Sequence, residues 1–476
     1  MRTSFMLCLY SVFLFGCGVS PAEDKPTAEE KPAKSASRVG STGVDWPTFL
    51  GPTGDSKSPE KGIIKDWSDG KLRIVWQRDI GTSYGIGSVA KGNFYHFDRI
   101  GDKAKLWCLN SQTGKEKWKF EYDTAYRDTL GYNNGPRCSP IVDGDHVYIY
   151  GAEGMLHCVR ADNGAKVWAV DTVEEYGVVQ NFFGVGSTPA IEGDLLICMV
   201  GGSPAGSPTL YASRGDLESN GSGIVAFNKR TGKEVYKITD EFASYASMKL
   251  TTIGERRWCF AFCRGGLVGF EPSVGTVDFH YPWRATTLES VNASMPVVVG
   301  DEVFISETYQ IGSSLLKVRN GGYDVVWKDE RRMREKAMMT HWNTSIHIDG
   351  YLYGCSGRNP TDADLRCIDW KTGNVAWVEQ LPAEERERSS LLYVDEHFVC
   401  LGEYGSLKLI KANPKKYELV SEVILRRKGG GRDPIDGGAE RLLQYPCWAA
   451  PVLSHGLLYV RGDDKLVCLE FIPGKR

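Results

Sequence analysis

No excess charge of either sign marks this sequence. Its 57 lysines and arginines stand against 60 aspartates and glutamates, a net charge of -3. Such a chain has no overall positive field to draw in a polyanion, so nucleic acid is not an expected partner. Long hydrophobic runs are also missing, and the apolar stretch Phe5–Phe15 is too short for a transmembrane helix. There is no Cys-x-x-Cys-His, which excludes a fused c-type haem, and no two cysteines are adjacent. The glycine-rich run Lys428–Glu440 lacks the lysine-serine ending of a phosphate loop and reads as a flexible linker. What remains is 42% hydrophobic and 25% charged, ample material for a large buried core.

The N-terminus has one early positive charge, Arg2, before its short apolar run, the pattern of an export signal. Leu14-Phe15-Gly16-Cys17 resembles the lipobox of bacterial lipoproteins, which implies cleavage before Cys17 and acylation of that cysteine. An ordinary secretory signal with an incidental cysteine is the alternative. Gly18 stands where an inner-membrane retention signal places Asp, which points to the outer membrane. The residues that follow are rich in Pro, Ala, Glu, Lys and Ser and contain no aromatic residue, so they bury too little to offset their ordering entropy. The expected organisation is a signal peptide over 1–17, a disordered tether over 18–44 and one folded domain over 45–476.

That domain is repetitive. LWCLNSQTGKEKWKF at Leu106–Phe120 recurs as LHCVRADNGAKVWAV from Leu156, IVAFNKRTGKEVYKI from Ile224 and LRCIDWKTGNVAWV from Leu365, with weaker copies from Leu267, Leu315 and Leu407. Each copy joins two apolar alternations by a tight turn, and each is preceded by two further strand-like runs across a Gly/Asp joint such as SPIV-DGD-HVYIY. Helical spacing is absent from these units, and the period of about 40–50 residues is that of a propeller blade or solenoid unit. A unit is therefore four antiparallel strands, A to D. The chain ends on KLVCLEF, a strand C without its D, while RIVWQRDI at Arg73–Ile80 is a strand D without its C. The two fragments complete one blade and close a ring, which removes exposed sheet edges. Counting strand C gives eight blades, or seven if the degenerate copies at Leu267 and Leu407 fail.

Four cysteines, Cys108, Cys158, Cys367 and Cys468, hold the same place in different copies. They lie in different blades, too far apart to bridge, and read as small buried hydrophobes. Cys259 and Cys263, on one strand-like run, are the least clear pair.

The strand C pattern A-x-D-x-x-T-G-K-x-x-W resembles the repeat of the pyrroloquinoline-quinone (PQQ)-like β-propellers. Trp46–Trp67, NGPRCSP and HWNTSIHIDGYLYG are similar to exported repeat proteins of this kind of planctomycete type. The resemblance implies an all-β, eight-bladed propeller and assigns Trp76, Trp118, Trp168, Trp327 and Trp377, with Tyr236 in the same place, to packing between blades. It leaves activity open, because the repeat serves quinoprotein dehydrogenases and cofactor-free proteins alike.

Residues just before strand A rim the channel mouth of a propeller, where ligands bind. The candidates there are Asn134, Arg137, Gln180, Asn181, Tyr245 and Lys249 in the first half. Asn292, His341, Trp342, Asn343, Arg388 and Trp448 follow in the second. The alternative is that these groups bond loop backbones. Asn220, Asn292 and Asn343 begin chance matches to a glycosylation sequon, and Asp329–Lys336 reads as a solvated loop or short helix.

Two functions follow from the resemblance. One is a non-catalytic scaffold, lipid-anchored on the periplasmic side of the envelope, like the lipoprotein propeller of the outer-membrane barrel-assembly machinery, with envelope proteins as partners and no cofactor or metal. The other is a periplasmic dehydrogenase oxidising alcohols or sugars through PQQ and calcium. Arg137 and Lys249 would then meet the cofactor's carboxylates and Trp342 its ring, but the adjacent cysteine pair of the alcohol dehydrogenases is missing, as is an acidic set for calcium and base.

Overall fold

The computed structural model describes residues 43–179, 182–207, 217–287, 290–330, 335–380 and 386–474. All lie in the compact unit Gly40–Arg476. They form eight antiparallel sheets of the A-to-D order. In the first blade strand A is Ser88–Ala90, B is Asn93–Ile100, C is Lys103–Asn110 and D is Glu116–Asp123. The next six blades occupy residues 141–171, 190–238, 249–282, 297–328, 346–379 and 389–424. The eighth consists of Val452–Ser454, Leu457–Arg461 and Lys465–Glu470 with Ile74–Asp79 as its strand D. Arg78 pairs with Leu466 and Asp79 with Lys465, so the ring closes as the two fragments require. Both degenerate copies are full blades, and eight is the count.

The opening motif is a device for gluing one blade to the next. In five of the eight blades an aromatic ring of strand D lies on the glycine turn of the neighbouring blade. Trp76 covers Gly114 and donates its indole N–H to Ser111 O at 2.9 Å; Trp118 covers Gly164, Trp168 covers Gly232 and Trp327 covers Gly373 in the same way. Gly114 has φ +67°, and a Cβ there would sit 2.7 Å from the Trp76 ring, so glycine is required twice over. Tyr236 takes the same seat over Gly275, its hydroxyl donating to Pro272 O. The repeat cysteines complete the pattern: Cys108, Cys158, Cys367 and Cys468 lie in register opposite Trp118, Trp168, Trp377 and Trp76, where a small residue leaves room for the indole. All eleven cysteines among the described residues are buried and none is in a disulfide, including Cys259 and Cys263. The apolar cores accordingly lie between blades, as where Tyr148 and Trp168 of the second meet Leu196 and Phe227 of the third.

Two expected loops are tighter than their composition suggests. Asp329 and Lys336, the ends of the charged run, are buried, and the Asp329 carboxylate accepts the Ser313 and Ala337 N–H groups. The run is thus tied into the fifth blade at both ends. Within the glycine-rich run, Asp433 is 3% exposed and receives Arg441 at 2.8 Å and Arg426 at 3.3 Å. Buried charge pairing makes it a folded turn instead of a linker.

The A–B and C–D turns lie on one face of the ring and the B–C turns and blade entries on the other. Val44–Glu60 enters the channel from the A–B side as a closed loop. At its base Glu60 accepts N–H groups from Val44 at 3.2 Å, His455 at 2.8 Å and Gly456 at 2.7 Å. Trp46, fully buried, bridges to Val89 of the first blade. On the way out Lys57–Ser58 adds a short parallel strand to Ser389–Val394 of the seventh. The tip between them is held by Lys249, which donates to Thr53 O at 2.6 Å and Gly54 O at 2.8 Å. The loop plugs one end of the channel.

Candidate functional site

Above the plug lies an axial cavity of about 480 Å³. Phe49, Leu50 and Ser56 of the plug form its floor, and blade entries and B–C turns form its walls. Aromatic rings dominate. Trp448 stands between Tyr84, at 4.8 Å, and Trp342, at 4.8 Å and 33°. Phe182, Phe183, Tyr245 and Tyr309 face them, and Tyr132, Tyr404 and Tyr445 line the mouth.

Two arginines stiffen this wall, and each is matched by its own carboxylate. Arg388 Nε and Nη2 donate to the two oxygens of Glu403 at 2.9 and 2.6 Å, and its third nitrogen reaches Arg358 O at 2.7 Å. The guanidinium lies 4.2 Å from the Trp342 ring centre, and Trp448 donates its indole N–H to the same Glu403 at 3.0 Å. Glu403 is wholly buried. Across the cavity Arg137 pairs with buried Asp128 at 2.5 Å, donates to Asn133 O at 2.7 Å, and sits over Tyr84 and Tyr126. Arg388–Glu403 is a fork-shaped, two-point pair and Arg137–Asp128 a single-point one, and each holds its guanidinium against a ring.

His341 lies 3.2 Å from Arg388 Nη1. Burial, then Arg388 and Arg358, hold it down to about 3, so it is an uncharged acceptor at neutral pH. Burial pushes the Tyr245 hydroxyl well up, and that oxygen accepts the Phe183 N–H at 2.8 Å. Arg358 is different. It is exposed at the lip, 4.5 Å over the Tyr309 ring, and has no ion pair among the described residues.

The wall hydroxyls accept backbone N–H groups across the blade boundaries. Ser139 Oγ accepts Ile86 N–H, Thr188 Oγ1 accepts Ser139 N–H and Ser247 Oγ accepts Thr188 N–H, each at 3.1 Å, and Thr344 Oγ1 accepts Met295 N–H at 3.2 Å. Each bond crosses from one blade to the next, forming a belt around the channel.

Seven of the sequence candidates therefore meet at one cavity: Arg137, Tyr245, His341, Trp342, Asn343, Arg388 and Trp448. Three turn to the backbone. Asn134 accepts Asp128 N–H at 2.7 Å, Lys249 holds the plug, and Asn292, 1% exposed, donates to Cys263 O at 2.7 Å. Asn343 does both, lining the cavity while its amide donates to Cys355 O at 2.8 Å. Burial of Asn292 and Asn343 also leaves no room for a glycan. Gln180, Asn181 and Cys17 lie outside the described residues. Sequence reasoning missed Asp128, Arg358, Glu403 and the plug residues Phe49 and Leu50. Arg358 and Glu403 follow strand B, which was not read as rim, and the plug had no repeat to betray it.

The PQQ and calcium test is negative for these residues. No carboxylate lines the cavity among the described residues, its two inner arginines are already matched, and Lys249 is turned away to the plug. A polyanion would find Arg358 alone and a calcium ion no anionic ligand.

No curated protein sequence matches this chain. Among solved structures it is similar to BamB from Moraxella catarrhalis, at 13% identity over 85% of this chain and 99% of that one, with a TM-score of 0.55. It is similar too to the quinohemoprotein alcohol dehydrogenase from Comamonas testosteroni, at 13% identity over 91% of this chain and 81% of that one, with a TM-score of 0.58. At such identities the likeness is one of fold. A family model described as outer membrane protein assembly factor BamB matches residues 60–207 and 127–379, more than half of the sequence. The chain belongs to that family.

Proposed function

We propose that this protein is a protein-interaction scaffold of the cell envelope, exported and lipid-anchored through Cys17, at the outer membrane, with partners engaging the cavity mouth. Membership of the BamB family supports this reading. The observation that carries it is the lip: Leu130, Tyr132 and Tyr445 are 50%, 61% and 46% exposed beside tryptophans stacked on a matched arginine. Exposed Tyr around a rigid Trp and Arg centre is the composition of an interaction hot spot. No cofactor or metal is part of this reading.

A photo-crosslinking amino acid placed at Tyr445 in cells should give discrete adducts with envelope proteins, whereas the same group at Val235, exposed on a strand D, should not. Equal labelling from both positions would sink the proposal. The quinoprotein alternative shares its fold with the Comamonas testosteroni enzyme and is opposed by the donor set above. Saturable change of tryptophan fluorescence on adding PQQ with calcium, together with dye reduction over an alcohol and sugar panel, would revive it.

A further inference from the structure

The cavity has a floor and one mouth, so whatever fills it enters from the lip. Its inner walls are mostly flat rings: the belt hydroxyls each already accept a bond from the next blade, and Arg137 and Arg388 are matched. A ligand rich in hydroxyls or charges would lose more bonds to water there than these walls return, which is costly for every buried polar group. An apolar side chain loses nothing polar and gains contact with Trp342, Trp448 and Phe182.

Charge is concentrated at the lip. Three charged side chains line the cavity, Arg137, Arg358 and Arg388, and only Arg358 lacks a carboxylate partner among the described residues. His341 beside it is neutral. The mouth thus presents one net positive charge at its edge, and complements one acid. The apolar surface also continues outward along the cavity to its mouth, lined by Leu130, Tyr132 and Tyr445, each about half exposed. A ligand confined to the inner, tryptophan-lined part of the cavity would leave the outer faces of these three in water. A polypeptide covers them with its flanking residues.

We propose that the axial cavity receives one bulky apolar side chain, aromatic or leucine-like, of a partner polypeptide, with an adjacent acidic residue held at the lip by Arg358. The inference rests on the scaffold reading and specifies its partner.

The test uses the purified full chain and a capped tetrapeptide, acetyl-Gly-(4-nitrophenylalanine)-Glu-Gly-amide, whose nitrophenyl ring quenches nearby tryptophan emission. Quenching should saturate, and the Glu peptide should bind about three times more tightly than its Gln counterpart at low salt, the scale of an exposed ion pair. In Arg358→Gln that preference should vanish while quenching persists. Ala293→Trp, which fills the cavity from its wall, should abolish quenching; its thermal midpoint serves as the check on folding. Absence of saturable quenching, or quenching that survives Ala293→Trp in a folded protein, overturns the proposal. So does 4-nitrophenylacetate binding as tightly as the peptide, which would mark a small-molecule site, or displacement of the peptide by maltotriose, which would mark a saccharide site. Crosslinking at Tyr445 separates the two readings: adducts there without peptide binding leave the scaffold standing and remove only side-chain insertion.

Discussion

The two ends of the channel are built from the same repeat and have opposite chemistry. At the plugged end polar side chains brace backbone: Glu60 ties the base of the plug, Asp45 accepts Lys91 N–H at 3.0 Å, and Lys249 holds the tip. At the open end the two inner arginines are also matched, leaving Arg358 at the lip, but around them large rings stand exposed. Groups whose hydrogen bonds end on the chain itself shape the fold. Exposed rings are available to a partner, and Tyr132 and Tyr445, exposed among the described residues, lie at the open mouth.

If this contrast is right, damage at the plugged end should appear as lost stability. Trp46→Ala should have the largest effect, because the ring is fully buried between plug and first blade; about 3–5 kcal/mol of unfolding free energy is the scale of an emptied indole site. Urea unfolding followed by circular dichroism measures it, and a loss below about 1 kcal/mol would mean that the plug is not part of the core. At the open end Glu403→Leu should rank next. It strands Arg388 as a buried unpaired cation at a cost of about 3 kcal/mol, most of which the double variant Arg388→Met, Glu403→Leu should restore. A double variant no better than the single one would show that the pair is not the unit that matters.

How much of this contrast the sequence carried follows from which features repeat. Blades, ring closure and the tryptophan seats each occur many times over, so the register of one copy checks the others. The entry positions were readable for the same reason, and seven of the chosen residues do converge. What singled out function within them was not readable. Lys249, Asn292 and Asn134 come from the same blade entries as Arg388 and Trp448, and only the structure separates a backbone brace from a cavity wall. The plug appears once, and its partners Leu391 and His455 lie over 300 residues away in sequence. No local pattern encodes such contacts.

Lys249→Met sharpens the comparison at the tip of the plug. It leaves the Thr53 and Gly54 carbonyls without their donor, for an expected loss of about 1–3 kcal/mol, visible as a lowered thermal midpoint and no change at the mouth. A variant that loses peptide binding without losing stability would instead return Lys249 to the binding site.

Glu307, behind the mouth, gives a pH signature. Its carboxyl accepts Ser290 Oγ and the Ala285 N–H, and burial raises it from 4.5 to about 7. Between those values the folded chain holds a proton that the unfolded chain has lost, so the contribution is present at low pH and is lost as pH rises through about 7. His341 works the other way: held at about 3, it adds stability that is lost as pH falls. Relative to Glu307→Gln, the native chain should lose stability by up to about 1.4 kcal/mol per pH unit from 4.5 to 7. Parallel curves for the two proteins would place an ionised Glu307 in the fold.

The smallest effect on stability is expected where the effect on function is expected to be large. Tyr445 is 46% exposed, stacks on Tyr404 at 5.2 Å and meets Trp448 edge-on at 5.9 Å, and no backbone brace depends on it. Tyr445→Ala should therefore shift the unfolding free energy by less than about 0.5 kcal/mol. In the same variant, envelope-protein adducts to a photo-crosslinker placed at Tyr132, across the mouth, should fall several-fold, because the lip loses a ring that excludes water around the tryptophans. Undiminished adducts, or a stability loss of several kcal/mol, would erase the distinction between the two ends, since the open rings would then be core and not surface held ready for a partner.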